Sequence, residues 1–430
     1  MSGWMAVRNV LRRWKREFDG LTITQTTIAS TILTFFLLAP LASMISQAFL
    51  FRGTPSLEWF SSILRSPEFV SLTPRGGRLF ELRRGVLYIW GLDFGIVMNS
   101  LIVAVTVTAA CSVLGTIAAF IMARYRFWGK EIFRVLLLVP LLATPFINAY
   151  VIGKIFGPRA GLVNAILHDA LHLIPWRIDV DGLAGIALAQ TLSFYPIVYL
   201  NVLASMMNID PSTEEQAENL GARGLRLFRT ITLPLSLPGL AAGATIVFIF
   251  SLEDLGAPIG FVGYGGNPLA RKVISYQVYS SFAEALTGGI PPKTAALAVL
   301  MLFIAIVGFI AVKRYVSLRF YASLSRGGRW NVRVRRPSWR GLVAIYAFLL
   351  LLVATASMPQ IGTVILAVTD WATSGTYPTR LTSAYISTLF TDPNVTRAIL
   401  NSILYSLSLI HISEPTRPRL TSYAVFCLKK

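Results

Sequence analysis

Apolar residues along the chain come in runs near twenty long, set between short polar stretches. That is the length a helix needs to cross the hydrocarbon core of a bilayer. The pattern predicts seven spans: Thr26 to Phe49, Ile96 to Met122, Phe133 to Ile152, Leu183 to Met206, Leu235 to Leu255, Thr294 to Val312 and Leu342 to Val368. An eighth opens near Leu400. Pro140 and Pro145 predict kinks in the third. The expected class is all-α, a polytopic transmembrane helical bundle with six spans in a first unit and the start of a second.

The polar stretches carry the organisation. Between the fourth and fifth spans lies Glu214 to Pro234, EEQAENLGARGLRLFRTITLP, too polar to span and too regular for a slack linker. Ser212 with Glu215 three residues on has the capping-box spacing, and Gly221 predicts the end of that helix. A second turn runs through Arg223, Arg226 and Arg229, and Pro234 marks entry to the next span. This helix–turn–helix knuckle lies on the cytoplasmic side by its arginines. Residues 313–340 form a basic linker with nine Lys or Arg, and they divide a first unit (1–312, knuckle 212–234) from the start of a second (341–406). Met98-Asn99-Ser100-Leu101 and Leu400-Asn401-Ser402-Ile403 repeat at the openings of the second and eighth spans, as internal repeats do in transporters.

Composition agrees: 54% of residues are hydrophobic and 14% charged, with a mean hydropathy of +0.63. The net charge of +19 reads as lysines and arginines that fix topology in short cytoplasmic loops, not as a nucleic-acid surface. Arg75, Arg78, Arg83 and Arg84 in the external segment Arg52 to Asp93 run against that rule. Cys111 and Cys427 cannot make a disulfide framework. The basic start, Arg8 to Arg16, precedes a run long enough to remain a span rather than a cleaved signal.

Glu215-Gln216-Ala217, Gly221, Ile231, Leu233 and Pro234 resemble the EAA loop of binding-protein-dependent ABC importer permeases, E-A-A, three residues, G, nine residues, I-x-L-P. Every spacing is kept, and the one departure is Gln216 where alanine is usual. The resemblance, strongest to fused two-unit permeases of the ferric-iron and thiamine type, covers most of residues 90 to 320. It also draws on Pro140 to Pro145, Ala149-Tyr150, Phe194-Tyr195-Pro196 and Ser251 to Pro258. It implies the type I importer permease fold in a multi-pass plasma-membrane protein. It further implies a pair of cytoplasmic ATPase subunits that grip the knuckle and an extracytoplasmic solute-binding protein. The coupling residues would be Glu214, Glu215, Ala217, Gly221, Ile231, Leu233 and Pro234. The solute stays open among iron(III), thiamine, putrescine, a phosphonate and other small solutes.

No G-x-x-x-x-G-K-[ST] loop is present, so ATP hydrolysis is expected of a partner, and no cofactor is expected. Glu253 and Asp254, at the outer end of the fifth span, are candidates for the translocation pathway, because ionisable groups near the membrane face a cavity or a partner. His168 and His172 stand four apart on one expected helical face but lack a third ligand, so no metal site is expected. Trp59, Trp90, Trp176, Tyr315 and Trp339 read as interfacial anchors. Leu407 to Arg417 looks like a translated sequencing adaptor, and residues 407–430 are therefore expected to be non-native, with the intact gene continuing into further spans and a second knuckle. Rival readings are an ion-gradient carrier, which leaves the knuckle unexplained, a polytopic transferase or hydrolase, and a membrane scaffold. The enzyme would need clustered acids or histidines, whereas Arg52 to Asp93 offers only Glu58, Glu68 and Glu81 among its arginines.

Overall fold

A computed structural model describes residues 20–51, 53–142, 144–157, 161–264, 267–284, 291–317, 334–372 and 378–413. The basic N-terminal residues, most of the 313–340 linker, and the tail beyond Ser413 with Cys427 lie outside these residues. Among the described residues, six helices are long and apolar enough to cross a membrane, and they answer to six of the predicted spans.

The first is α1 (Gly20–Leu33) and α2 (Ala39–Ala48), joined through a π-helical turn. The spine of the bundle is α4 (Ile96–Arg124) against α7 (Gly182–Met207), with α9 (Leu233–Glu253) laid across both. Small residues set how closely these backbones approach. A Cβ on Gly115 would stand 2.8 Å from the Tyr199 nitrogen, and one on Gly243 would stand 2.8 Å from the Val198 Cα. Val107, Cys111, Tyr195, Tyr199 and Val247 are wholly buried there.

The third predicted span is broken rather than kinked. It consists of α5 (Lys130–Leu136), a 3₁₀ turn at Val139–Leu142 and α6 (Pro145–Phe156), with its two halves bent by 96°. Pro145 accounts for the restart. It occupies the first turn of α6, where proline's missing N–H costs nothing. The broken half packs on α10 (Gly256–Gly263), and Gly260 sits so close that a Cβ would reach 2.7 Å from the Ala149 Cβ. After α10 come α11 (Ile274–Glu284) and α12 (Pro292–Ser317).

The external segment is β-structured, which the span pattern does not predict. After β1 (Leu50–Phe51), β2 (Thr54–Pro55) and α3 (Glu58–Arg65), a hairpin is built from β3 (Gly77–Arg78), β4 (Glu81–Arg83), β5 (Val86–Ile89) and β6 (Gly91–Leu92). β4 and β5 turn through Arg84 and Gly85, both at positive φ, the two-residue geometry that matches strand twist. β5 then pairs in parallel with β7 (Arg177–Val180). Trp90, expected as an interfacial anchor, instead donates its Nε1–H to Asp179 Oδ2 at 3.0 Å. The out-of-rule arginines belong to this hairpin. Arg78 pairs with Glu81 at 3.0 Å and lies 5.1 Å from the ring centres of both Tyr88 and Trp90.

Beyond the linker, α13 (Trp339–Val368) packs into the same core as the first unit, through Ile345, Leu349, Leu352 and Ala356. α14 (Ala384–Thr391) and α15 (Pro393–Ser413) follow, exposed along nearly their whole described length. α15 starts at Pro393, so Asn401 sits in mid-helix rather than at a helix opening. Residues 407–413, expected to be non-native, continue that helix to Ser413, the last described residue. α3 is followed by Ser66-Pro67 and α14 by Asp392-Pro393. Eight positions separate Pro393 from Asn401 and thirty-two separate Pro67 from Asn99, the longer interval holding the hairpin.

Candidate functional site

The knuckle begins at α8 (Pro211–Asn219). Its N-cap is Asp210, not Ser212: the Asp210 carboxylate accepts the Ser212 N–H at 2.9 Å, and Pro211 takes the first helical position. The Asp-Pro pair outcompetes the capping box because proline at that position fixes the start of the helix. Gly221 ends it as expected, at φ +88°. The Ala222 N–H reaches the Ala217 carbonyl and the Gly221 N–H the Glu218 carbonyl, both at 2.9 Å, which is the Schellman pattern. The second half of the knuckle is no separate helix. Leu225–Leu227 and a π-helical turn at Phe228–Thr232 run directly into α9.

The faces of α8 divide the predicted coupling residues. Glu214 and Ala217 are buried against the membrane domain, whereas Glu215, Gln216, Leu220 and Gly221 are exposed. Ile231, Leu233 and Pro234 are half-buried where the knuckle enters α9. Glu214 accepts from Arg124 Nη2 at 2.7 Å and from Thr232 Oγ1 at 2.8 Å. One carboxylate therefore ties the end of α4, the knuckle helix and the foot of α9. Arg335, from the linker, pairs with Glu218, and its backbone bridges the Arg124 carbonyl and the Arg126 N–H at 2.8 and 2.9 Å. Arg124 is the site residue that sequence reading misses, because nothing near it in the chain points to Glu214 ninety positions on.

The two outer acids separate as well. Glu253 is exposed. Asp254 is engaged by Gln190 Nε2 at 2.9 Å and by the N–H groups of Gly256 and Ala257 at 2.9 and 3.1 Å, and so closes the start of α10. Nearby, Asn99 and Ser100 show what the repeated Asn-Ser pair does. Asn99 binds Asp93 Oδ1 at 3.0 Å and the Lys272 carbonyl at 3.1 Å, and Ser100 Oγ accepts the Ile274 N–H at 2.8 Å. They fasten the α10–α11 segment to the top of α4. Burial pushes the Asp93 carboxyl up, but the Lys272 ammonium at 2.5 Å, Asn99 and the Gly95 N–H outweigh it and keep it below the ordinary range. His168 and His172 do not share a helical face: the helical turn ends at Ala170, His172 has φ +50°, and His168 contacts Asp169 at 2.7 Å.

Residues 111–319 match the family described as "Binding-protein-dependent transport system inner membrane component". The putrescine transport system permease protein PotI of Escherichia coli is 33% identical over 215 residues, 49% of this chain and 69% of that protein. The chain belongs to this family of transport permeases. The molybdenum transport system permease protein ModB of Haemophilus influenzae is 29% identical over 239 residues, 55% of this chain and 98% of the other. The putative 2-aminoethylphosphonate transport system permease protein PhnU of Salmonella typhimurium is 29% identical over 190 residues, 44% of this chain and 65% of that one. The fold resembles a bacterial ABC transporter that imports the acidic polysaccharide alginate, with a TM-score of 0.52 at 16% identity, covering 71% of this chain and 99% of the other. The permease is thus a multi-pass membrane subunit of an ABC importer, an inner-membrane transport component. The matched region includes the knuckle, α4 from Cys111 onward, and α12.

Proposed function

We propose that the exposed face of α8, Glu215, Gln216, Leu220 and Gly221, is the surface that a pair of cytoplasmic ATPase subunits grips. Glu214 and Ala217 hold the opposite face to the membrane domain. The observation that carries this reading is the buried Arg124–Glu214–Thr232 contact: a push on α8 reaches α4 and α9 through one carboxylate instead of being lost in a slack loop. Closure of the ATPase pair would then rock those spans between inward- and outward-open states. Ile231, Leu233 and Pro234 form the rigid foot of α9. On the outer side, an extracytoplasmic solute-binding protein would deliver solute, with the exposed Glu253 lining the route and Asp254 holding α10 beside it. The units divide as 1–312 and 341 onward across the basic linker.

The solute we assign is small and polar, in the class of putrescine or a phosphonate. The relatives named above carry molybdenum, putrescine and 2-aminoethylphosphonate in their names, so iron(III) import draws no support from them. The test is ATPase stimulation in proteoliposomes with the cognate ATPase. Leu220→Asp places a charge at a side chain that is 89% exposed, so it leaves folding and insertion intact. It should abolish stimulation. Stimulation at the wild-type level would show that α8 is not the coupling surface.

A further inference from the structure

Between the cytoplasmic end of α4 and the knuckle lies a cavity of about 350 Å³ that the proposed ATPase surface leaves unused. Its polar end is Arg124, only 6% exposed. Nη2 of that guanidinium is occupied by Glu214, but Nε and Nη1 are buried and have no partner among the described residues. A guanidinium offers five N–H donors in a fixed plane, and buried donors left without acceptors are costly enough to require an occupant. Arg335 stands at the same rim. The remaining walls are largely apolar, with Ile117, Phe120, Leu227 and Phe228 among them. Ile117 is 41% exposed and lies two turns back along α4, toward the bilayer interior.

Water would satisfy the donors but leave these walls wet. A bare metal cation is repelled by both arginines. The arrangement suits an oxyanion attached to an apolar body. We propose that this cavity binds a phosphate ester, its oxygens on Arg124 and Arg335 and its hydrocarbon along Ile117 and Phe120. Arg124 closes a membrane-spanning helix, which is the depth of lipid phosphates in the cytoplasmic leaflet, and basic pockets between helices on that side suit anionic headgroups. Glu214 and Glu218 each engage one of the two arginines, and Arg126 and Arg336, close to them in sequence, line a second pocket beside this one. The same chemistry admits free phosphate, and the experiment separates the two sources.

The full chain is reconstituted in nanodiscs of mixed phosphatidylglycerol and phosphatidylcholine, released and weighed by native mass spectrometry. Wild-type protein should retain one phosphatidylglycerol in preference to phosphatidylcholine. Arg335→Gln, which removes a charged donor, and Ile117→Trp, which fills the apolar end, should each lower that retention roughly tenfold. Both leave the Arg124–Glu214 contact in place. Arg124→Gln should abolish retention, and the two milder variants keep the test decisive if it misfolds. In a parallel arm, nanodiscs of phosphatidylcholine alone are titrated with inorganic phosphate. Binding there that is sensitive to Arg335→Gln supports the anion site and names the soluble anion as its occupant. Equal retention of both lipids with no phosphate binding, or unchanged retention in the variants, overturns the proposal.

Discussion

Glu214 shows how one side chain can be visible in the sequence while its partner is not. It neighbours the family signature, stands among the expected coupling residues, and points into the protein. A helical repeat of 3.6 puts 214 with 217 on one side and 215 with 216 on another, so its direction follows from periodicity. Its partner does not, because nothing local to α8 identifies Arg124, ninety positions earlier. Removing one member of a buried pair strands the other charge. Glu214→Ala should therefore cost about 3–5 kcal/mol of stability, whereas Arg124→Met with Glu214→Leu should cost much less. Thermal unfolding in detergent of the singles and the double distinguishes these. Gly221→Val acts differently: its Cβ would meet nothing within 4 Å. The penalty is a left-handed backbone, about 1–2 kcal/mol. Global melting should fall only slightly while ATPase stimulation falls sharply, because the chain leaving α8 is redirected.

Among the elements, the long apolar spans were legible because span length is set by the bilayer rather than by packing detail. The external sheet was not. Its strands are two to four residues long, and β5 pairs with β7 across nearly ninety intervening residues, a contact that leaves no local pattern. Its stability has a legible pH dependence. Asp179 is buried beneath Trp90, and burial pushes its carboxyl up from 3.8 to about 6, with the neighbouring Asp181 adding to the rise. An acid whose folded value is raised stabilises the fold while it is protonated. Stability from this group is therefore full below about pH 4 and is lost as pH rises through about 6. Asp93 has the opposite sign: its contribution is present at neutral pH and is lost only in acid, below the ordinary range. Asp179→Asn keeps an acceptor for the Trp90 N–H and should flatten the stability change between pH 4 and 6, read by tryptophan fluorescence during denaturation. A wild-type slope in the variant would remove Asp179 from this role. At α8, Asp210→Ala should cost about 1 kcal/mol through loss of the cap, and Ser212→Ala much less.

Across the whole molecule, chain order and packing order differ. The linker separates α12 from α13 in sequence, yet α13 completes the first unit's core: Tyr346 meets the Phe127 and Phe133 rings at 5.7 and 6.0 Å. Gly362 comes so close that a Cβ would stand 2.4 Å from the Val151 Cγ1. By the internal repeat, the counterpart of α13 is α1 with α2, and from Ile23 to Leu41 every side chain there is exposed. On the two-unit reading proposed above, α13 joins the first unit's core, and α2 packs on α12 through Met44 and Ala48. Cysteines at Val151 and Gly362 should crosslink within one chain. After tryptic cleavage in the arginine-rich linker, the two halves should stay joined on a non-reducing gel and part on reduction. Halves that separate without reductant would place α13 elsewhere.

On the two-unit reading proposed above, the hairpin between Pro67 and Asn99 breaks the equivalence of the units on the outer surface alone. Two matched halves present a visiting protein with two interchangeable ways to land, related by half a turn. A projection carried by one half removes the second, so whatever approaches from outside meets a keyed surface. The membrane-embedded helices can keep their near-symmetry while the outer face has a left and a right.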